Sequence, residues 1–271
     1  MKTILFPTDF SERAERALEQ AIEVAEKARA RLILYHVYHR PVIEGQTAEE
    51  MASWLQQLEE GIDVRFHKLA HQYPKLKELD CDFRKELGIS VESIAHIPKD
   101  EEIDLIIMAT EGATGFGELW GTKTAQIIKS VKVPVLVIPD SSHLDEVKRV
   151  GLVCDYSEKT HYQTLDFLLK FIELFQLNVD VITLNRDEKT MTSQEKANRE
   201  LVRKKLENVS ATFHFTYHRE VEIGIMEYVQ SHTIGMIAIL PKSYSFIERI
   251  FRESLTEKMV FHSQLPLLVL K

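Results

Sequence analysis

A short apolar run at residues 2–6 (KTILF), closed by Pro7-Thr8-Asp9-Phe10-Ser11, returns as Arg149–Cys154 (RVGLVC), closed by Asp155-Tyr156-Ser157. Asp9 and Asp155 are offset by 146 residues, and the runs that follow keep the same order. In the first copy the strand candidates are Leu32–Val37, Cys81–Leu87, Ile103–Ala109 and Pro134–Ile138. Their counterparts are Asn178–Leu184, Thr212–Tyr217, Met236–Leu240 and Pro266–Leu270. At the last pair the offset falls to 132, so the first copy carries about fourteen extra residues. They lie in Arg40–Asp80, read as a lengthened second helix preceded by Pro41 and Gly45. A repeat on this scale means two copies of one supersecondary plan rather than one irregular domain.

The plan itself is legible. Most of the runs are apolar throughout rather than alternating, as in strands covered on both faces of a parallel sheet. Between them lie segments of helical period. Glu12–Ala28 repeats Ala14, Ala17, Leu18, Ala21, Ile22 and Ala25 on one face and has Ser11 as a capping residue. Val91–Ile97 and Glu118–Lys129 read as further helices, and the polar stretch Asp140–Val147 as the linker between copies. The expected domains are residues 1–140 and 147–271.

Composition removes whole classes of function. A net charge of −8 lacks the basic surface that a general nucleic-acid binder needs. No run approaches the ~20 apolar residues of a membrane helix, and the apolar start stops at Pro7, too short for a signal-peptide core. Cys81 and Cys154 form no CxxC pattern, which suits a reducing compartment; the expected location is the cytoplasm. His67 and His71 stand four apart on a helix but have no evident third ligand, so they read as a solvated face, as do His214 and His218 on a strand. No metal site is expected. His36 reads as a packed histidine. No nucleophile elbow, HExxH, Walker loop or paired catalytic carboxylate occurs.

PTDFS after the first strand, His36-Val37 ending the second, DLIIMA before a glycine-rich loop, Gly121-Thr122 opening a helix, and PVLVI carry a resemblance. On these motifs the chain resembles the universal stress protein family, in two consecutive copies. The resemblance implies two Rossmann-like domains, similar to adenine nucleotide alpha hydrolases. Each would hold a five-stranded parallel sheet of order 3-2-1-4-5 with helices on both faces. It also implies an adenine nucleotide (ATP, ADP or AMP) as ligand. Pro7, Thr8, Asp9 and Val37 would line the adenosine; Met108, Ala109, Gly112, Gly121, Thr122 and Thr124 would surround the phosphates. The family loop is G-x2-G-x9-G-[ST], whose glycines let backbone N–H groups reach phosphate oxygens. The first copy departs from it at Ala109 and by a spacer of eight residues between Gly112 and Gly121. In the second copy Leu240, Ser243 and Glu253 replace all three glycines, so that copy is expected to bind no nucleotide.

The function so implied is a stress-response binding and signalling protein, not a turnover enzyme. Its protein partners are unknown, and its two copies are expected to pair as an intramolecular pseudo-dimer, with a homodimer as a further form. Two other readings stay open at this point. One is a slow ATPase working at the first site; the other is a ligand-free interaction scaffold, for which Ala109 and the short spacer speak.

Overall fold

The computed structural model describes residues 1–40, 47–110, 122–139, 142–154, 156, 162–184, 189–219, 221–240 and 265–271. They form two compact units, Met1–Ala109 and Thr110–Lys271. The first is a parallel α/β sheet and the second a parallel sheet with one antiparallel edge strand, the Rossmann-like plan in tandem.

In the first unit β1 (Thr3–Pro7), β2 (Arg31–Tyr38), β3 (Cys81–Leu87) and β4 (Leu105–Thr110) lie in the order β3-β2-β1-β4. All are parallel, with Ile4 level with Leu32 and with Leu105, and Leu32 level with Cys81. Ile4, Leu5, Phe6, Leu32, Ile33, Leu34, Leu105, Ile106 and Ile107 are fully buried, as strands covered on both faces require. Helix α1 (Glu12–Ala28) starts where the Ser11 hydroxyl accepts the Ala14 N–H. Its buried stripe of Ala14, Ala17, Leu18, Ala21, Ile22 and Ala25 is the one the sequence spelled, with Val24 added. It stops at Arg29, which takes the left-handed conformation and donates its N–H to Ala25 and Glu26 carbonyls.

The extra residues of the first copy lengthen α2 (Ala48–Gln72), 25 residues long and opened by a reciprocal Thr47–Glu50 capping box. Its buried residues, Ile62, Phe66 and Leu69, all belong to its second half. A single-turn 3₁₀ helix (Pro74–Lys77) leads to β3, and α3 (Ser90–Asp100) joins β3 to β4. The expected helix at Val91–Ile97 thus runs longer at both ends.

The second unit holds α4 (Thr122–Ser130), β5 (Val135–Pro139), β6 (Arg149–Val153), α5 (Tyr162–Phe175) and β7 (Asn178–Leu184). Then come α6 (Ser193–Lys205), β8 (Ala211–Thr216), α7 (Val221–Ser231), β9 (Met236–Ile239) and β10 (Leu267–Val269). Here the order 3-2-1-4-5 is complete as β8-β7-β6-β9-β10, all parallel. Strand β5, the last of the first copy in sequence, pairs antiparallel with β10: Leu267 faces Val137, Leu268 faces Leu136 and Val269 faces Val135.

The duplication shows in backbone geometry as well as in sequence. Phe10 and Tyr156 both have φ near +60° (59° and 58°), and Arg29 and Gln176 match at 50° and 53°. The stretch read as a polar linker is partly core. Ser142, Leu144 and Val147 are buried, with a 3₁₀ turn at Leu144–Glu146. Val147 packs against Gly235, where a Cβ would come within 3.3 Å of the Val147 Cα. Two apolar side chains in a polar stretch were enough to anchor it.

Candidate functional site

In open parallel sheets, ligands favour the carboxyl edge of the strands. In the first unit the chain turns sharply where β1 ends. The Thr8 N–H donates to the Tyr35 carbonyl at 2.9 Å, extending the β1–β2 ladder past Pro7. Thr8, which is buried, then accepts the Phe10 N–H on its hydroxyl at 3.1 Å. The Asp9 carboxylate accepts the Ser11 N–H at 2.9 Å. These nested side-chain bonds hold Phe10 in the left-handed region, a conformation that costs a bulky residue free energy.

His36 locks the same turn from β2. Its Nδ1 lies 2.7 Å from the Thr8 carbonyl. A carbonyl only accepts, so Nδ1 carries the proton and Nε2 is left as the acceptor. Burial pushes the His36 pKa down, opposed by the Thr8 carbonyl, with Arg65 lowering and Asp9 raising it; the net direction is down. Asp9 is exposed on the surface. Partial desolvation pushes its carboxyl up, but the Ser11 hydroxyl and N–H, with Arg13 nearby, bring it below its usual value.

An aromatic row continues from this turn. Phe10 lies 4.6 Å from the His36 ring and 5.0 Å from Phe66 of α2, and Phe66 lies 5.2 Å from Phe83 of β3. The Arg65 guanidinium stands 5.6 Å over the Phe10 ring. Sequence reasoning left Phe10, Arg65 and Phe66 out of the site. Phe10 was visible in the PTDFS motif, but Arg65 and Phe66 belong to the lengthened helix α2, where nothing local marks them.

Of the residues singled out from the sequence, Pro7, Thr8, Asp9, Val37, Met108 and Ala109 belong to the first unit. Val37 is half-exposed near the end of β2; Met108 is buried and Ala109 half-buried near the end of β4. Carrying the Leu5–Ile106 register on by two residues sets Met108 level with Pro7. Thr122 opens α4 in the second unit, where Thr124 is buried. Gly112 and Gly121 lie outside the described residues, as do Ser243, Glu253 and Asp155.

The matching turn of the second unit is built differently. The Cys154 N–H donates to the Ile182 carbonyl at 3.0 Å, as Thr8 does to Tyr35. Tyr156, in the place of Phe10, is fully buried, and its carbonyl accepts from buried Asn198 at 2.8 Å. Thr183 stands where the first unit has His36. The ring that is half-exposed in one copy is core in the other.

His67 and His71 are exposed on α2. His214 departs from its expected solvated face. It is half-buried, donates to Thr212 at 2.9 Å, and leans on Tyr228 and His232. Tyr228 of α7 and His232, one residue past its end, supply these two rings, which the strand pattern could not reveal; His218 lies beyond the end of β8. Among the described residues, no three His, Cys, Asp or Glu side chains converge as a metal site. No described helix is long and apolar enough to cross a membrane.

Comparison with known proteins bears on these features. The universal stress protein family model matches residues 1–139. A universal stress protein of Methanocaldococcus jannaschii is 32% identical over 152 residues, covering 51% of this chain and 94% of its own length. A second from that organism is 28% identical over 144 residues, covering 51% of this chain and 81% of its own. Among solved structures, a universal stress protein from Archaeoglobus fulgidus superimposes over 99% of this chain and 98% of its own. Its TM-score is 0.67 at 16% identity, a shared fold across both copies. With the PTDFS turn, the 3-2-1-4-5 sheet order and a family match over half its length, the chain belongs to the universal stress protein family.

Proposed function

We propose that this chain is a stress-response binding and signalling protein whose first copy takes an adenine nucleotide, ATP, ADP or AMP. The observation that carries this reading is the rigid turn at Pro7-Thr8-Asp9. It keeps an ionised carboxylate at the carboxyl edge of a parallel sheet, able to accept hydrogen bonds from ribose hydroxyls or a base amine. Val37 and Met108 supply apolar neighbours for the nucleoside. The loop from Ala109 through Gly112 to Gly121, with Thr122 and Thr124, is the phosphate-binding part of the proposal.

The domain limits 1–140 and 147–271 belong to the same reading. So do a cytoplasmic location and an internal pseudo-dimer resting on the antiparallel β5–β10 pair. The second copy, its glycines replaced and Tyr156 filling its turn, acts as a structural or partner-binding half. Turnover is not part of the proposal: the sequence carries no nucleophile elbow, Walker loop or paired catalytic carboxylate. The ligand-free scaffold has its own support in Ala109 and the short spacer, and calorimetry separates the two.

Titration of the whole chain with ATP, ADP and AMP is expected to show one site. Gly121→Val is expected to abolish it while leaving the thermal unfolding profile in place, because a branched side chain would fill the phosphate cradle. Absence of heat with all three nucleotides at millimolar concentration refutes nucleotide binding and leaves the scaffold.

A further inference from the structure

The two sheets end on equivalent strands, β3 and β8, and the two strands are defended in opposite ways. Strand β3 carries Asp82, Arg84, Lys85 and Glu86, four charges in seven residues. All are engaged: Asp82 with Arg31 and Arg84, Arg84 with Glu101, Lys85 with Asp63 at 2.6 Å, and Glu86 with the Tyr35 hydroxyl at 2.5 Å. Charged edges of this kind discourage pairing with another strand. Strand β8 reads ATFHFT, six residues without one formally charged side chain at neutral pH. Among the described residues it pairs with β7 and with nothing on its outer side.

Its two faces differ. On one face the Thr212 hydroxyl donates to buried Asp180 of β7 at 2.7 Å, Tyr228 of α7 donates to the same carboxylate at 3.1 Å, and the His214 ring leans on Tyr228. On the face shared with α6, Phe213 and Phe215 are followed at the same spacing by Tyr217, which is 83% exposed. Two guanidiniums lie over these rings. Arg199 is 5.9 Å from Phe213 and 5.1 Å from Phe215, and Arg203 is 5.8 Å from Phe213. The last turn of α6 adds Lys204 and Lys205, the latter paired with Asp166. Part of that basic cluster answers the helix dipole. Its position over an uncharged strand edge is what the dipole does not explain.

We propose that β8 is a docking edge for an extended acidic segment of another protein. The segment adds as a further strand, with backbone hydrogen bonds supplying adhesion and acidic side chains two residues apart meeting Arg199 and Arg203. A second copy of this chain fits poorly. Antiparallel β8–β8 pairing would bring two arginine clusters onto one face of the joined sheet, where like charges disfavour the pair. The chain's net charge of −8 does not prevent acidic binding, since the last two turns of α6 set Arg199, Arg203, Lys204 and Lys205 against one carboxylate of their own, Glu200, which lies 3.9 Å from Arg203 at an exposed position.

Selection of random nine-residue peptides on the full chain, followed by amide hydrogen exchange, tests the proposal. Recovered peptides are expected to alternate Asp or Glu with β-branched or aromatic residues and to protect the β8 amides. Arg203→Glu and Tyr217→Ala, both at exposed positions, are expected to weaken them roughly fivefold without altering thermal unfolding, and added salt to weaken them further. The proposal is overturned by an empty selection, by peptides without acidic preference, or by protection elsewhere. It is equally overturned if light scattering shows the chain self-associating through β8, or if a poly-uridine oligonucleotide protects β8 in place of the peptides.

Discussion

His36 and Asp9 hold one turn by opposite means, a half-buried ring donating and an exposed carboxylate accepting. The ring is held below its ordinary value of 6.5, so the unfolded chain takes up a proton more readily than the folded one. The stability that His36 contributes is therefore complete above about pH 6.5 and is lost as the pH falls below that value toward the folded pKa. His36→Gln keeps a side-chain donor without the titration. Urea unfolding at pH 7.5 and 5.5 is expected to show a smaller loss of stability for the variant than for the native chain; equal losses would mean that the ring titrates freely in the fold. Cys81 follows the same logic. Burial, with Asp82 and Asp80 beside it, pushes its thiol up to about 12. It is expected to resist iodoacetamide near pH 8 until the chain is denatured, since the thiolate is the nucleophile.

Among the elements, helix α4 depends on a strand remote in sequence. The ammonium of half-buried Lys271 donates to the Ile128 carbonyl at 2.6 Å, in the last turn of α4. A cation there satisfies a carbonyl that the helix leaves unpaired and complements the negative end of its dipole. Lys271→Met keeps most of the packing and removes the donor. It is expected to cost about 1.5–3 kcal/mol in denaturant unfolding, the usual worth of a hydrogen bond to a charged group. No change would mean that water replaces the ammonium at no cost. The long α2 makes a contrasting case. Sequence placed the extra residues in this helix, but the aromatic row that its second half brings to Phe10 depends on how the helix is held. Tyr38 and Lys85 fix its level through Glu59, Lys85 donating to the Glu59 carbonyl at 3.0 Å.

For the whole molecule, the telling pair is β5 with β10. Val135, Leu136, Val137 and Ile138 are fully buried, and β10 covers the outer edge of β5. A fragment ending at Asp140 would leave an apolar edge with free N–H and C=O groups, a template for another strand. It is expected to dimerise or aggregate, and light scattering that finds it monomeric at high concentration would count against this role for β10. By itself the sequence determined the duplication, the strand runs, the α1 stripe and its Ser11 cap, and the Pro7-Thr8-Asp9 turn. All of these are local patterns, written in residues within a few positions of one another. Helix starts were less legible where side chains such as Thr47 and Glu50 set them, and the stretch at 140–147 misled because most of its residues are polar. What the tertiary structure decided is of another kind. It settled that Phe10 meets His36, Arg65 and Phe66, and that Tyr156 is swallowed where Phe10 is not. Each depends on which surfaces meet across many residues of chain, and packing between remote segments leaves no mark in the local alternation of polar and apolar residues.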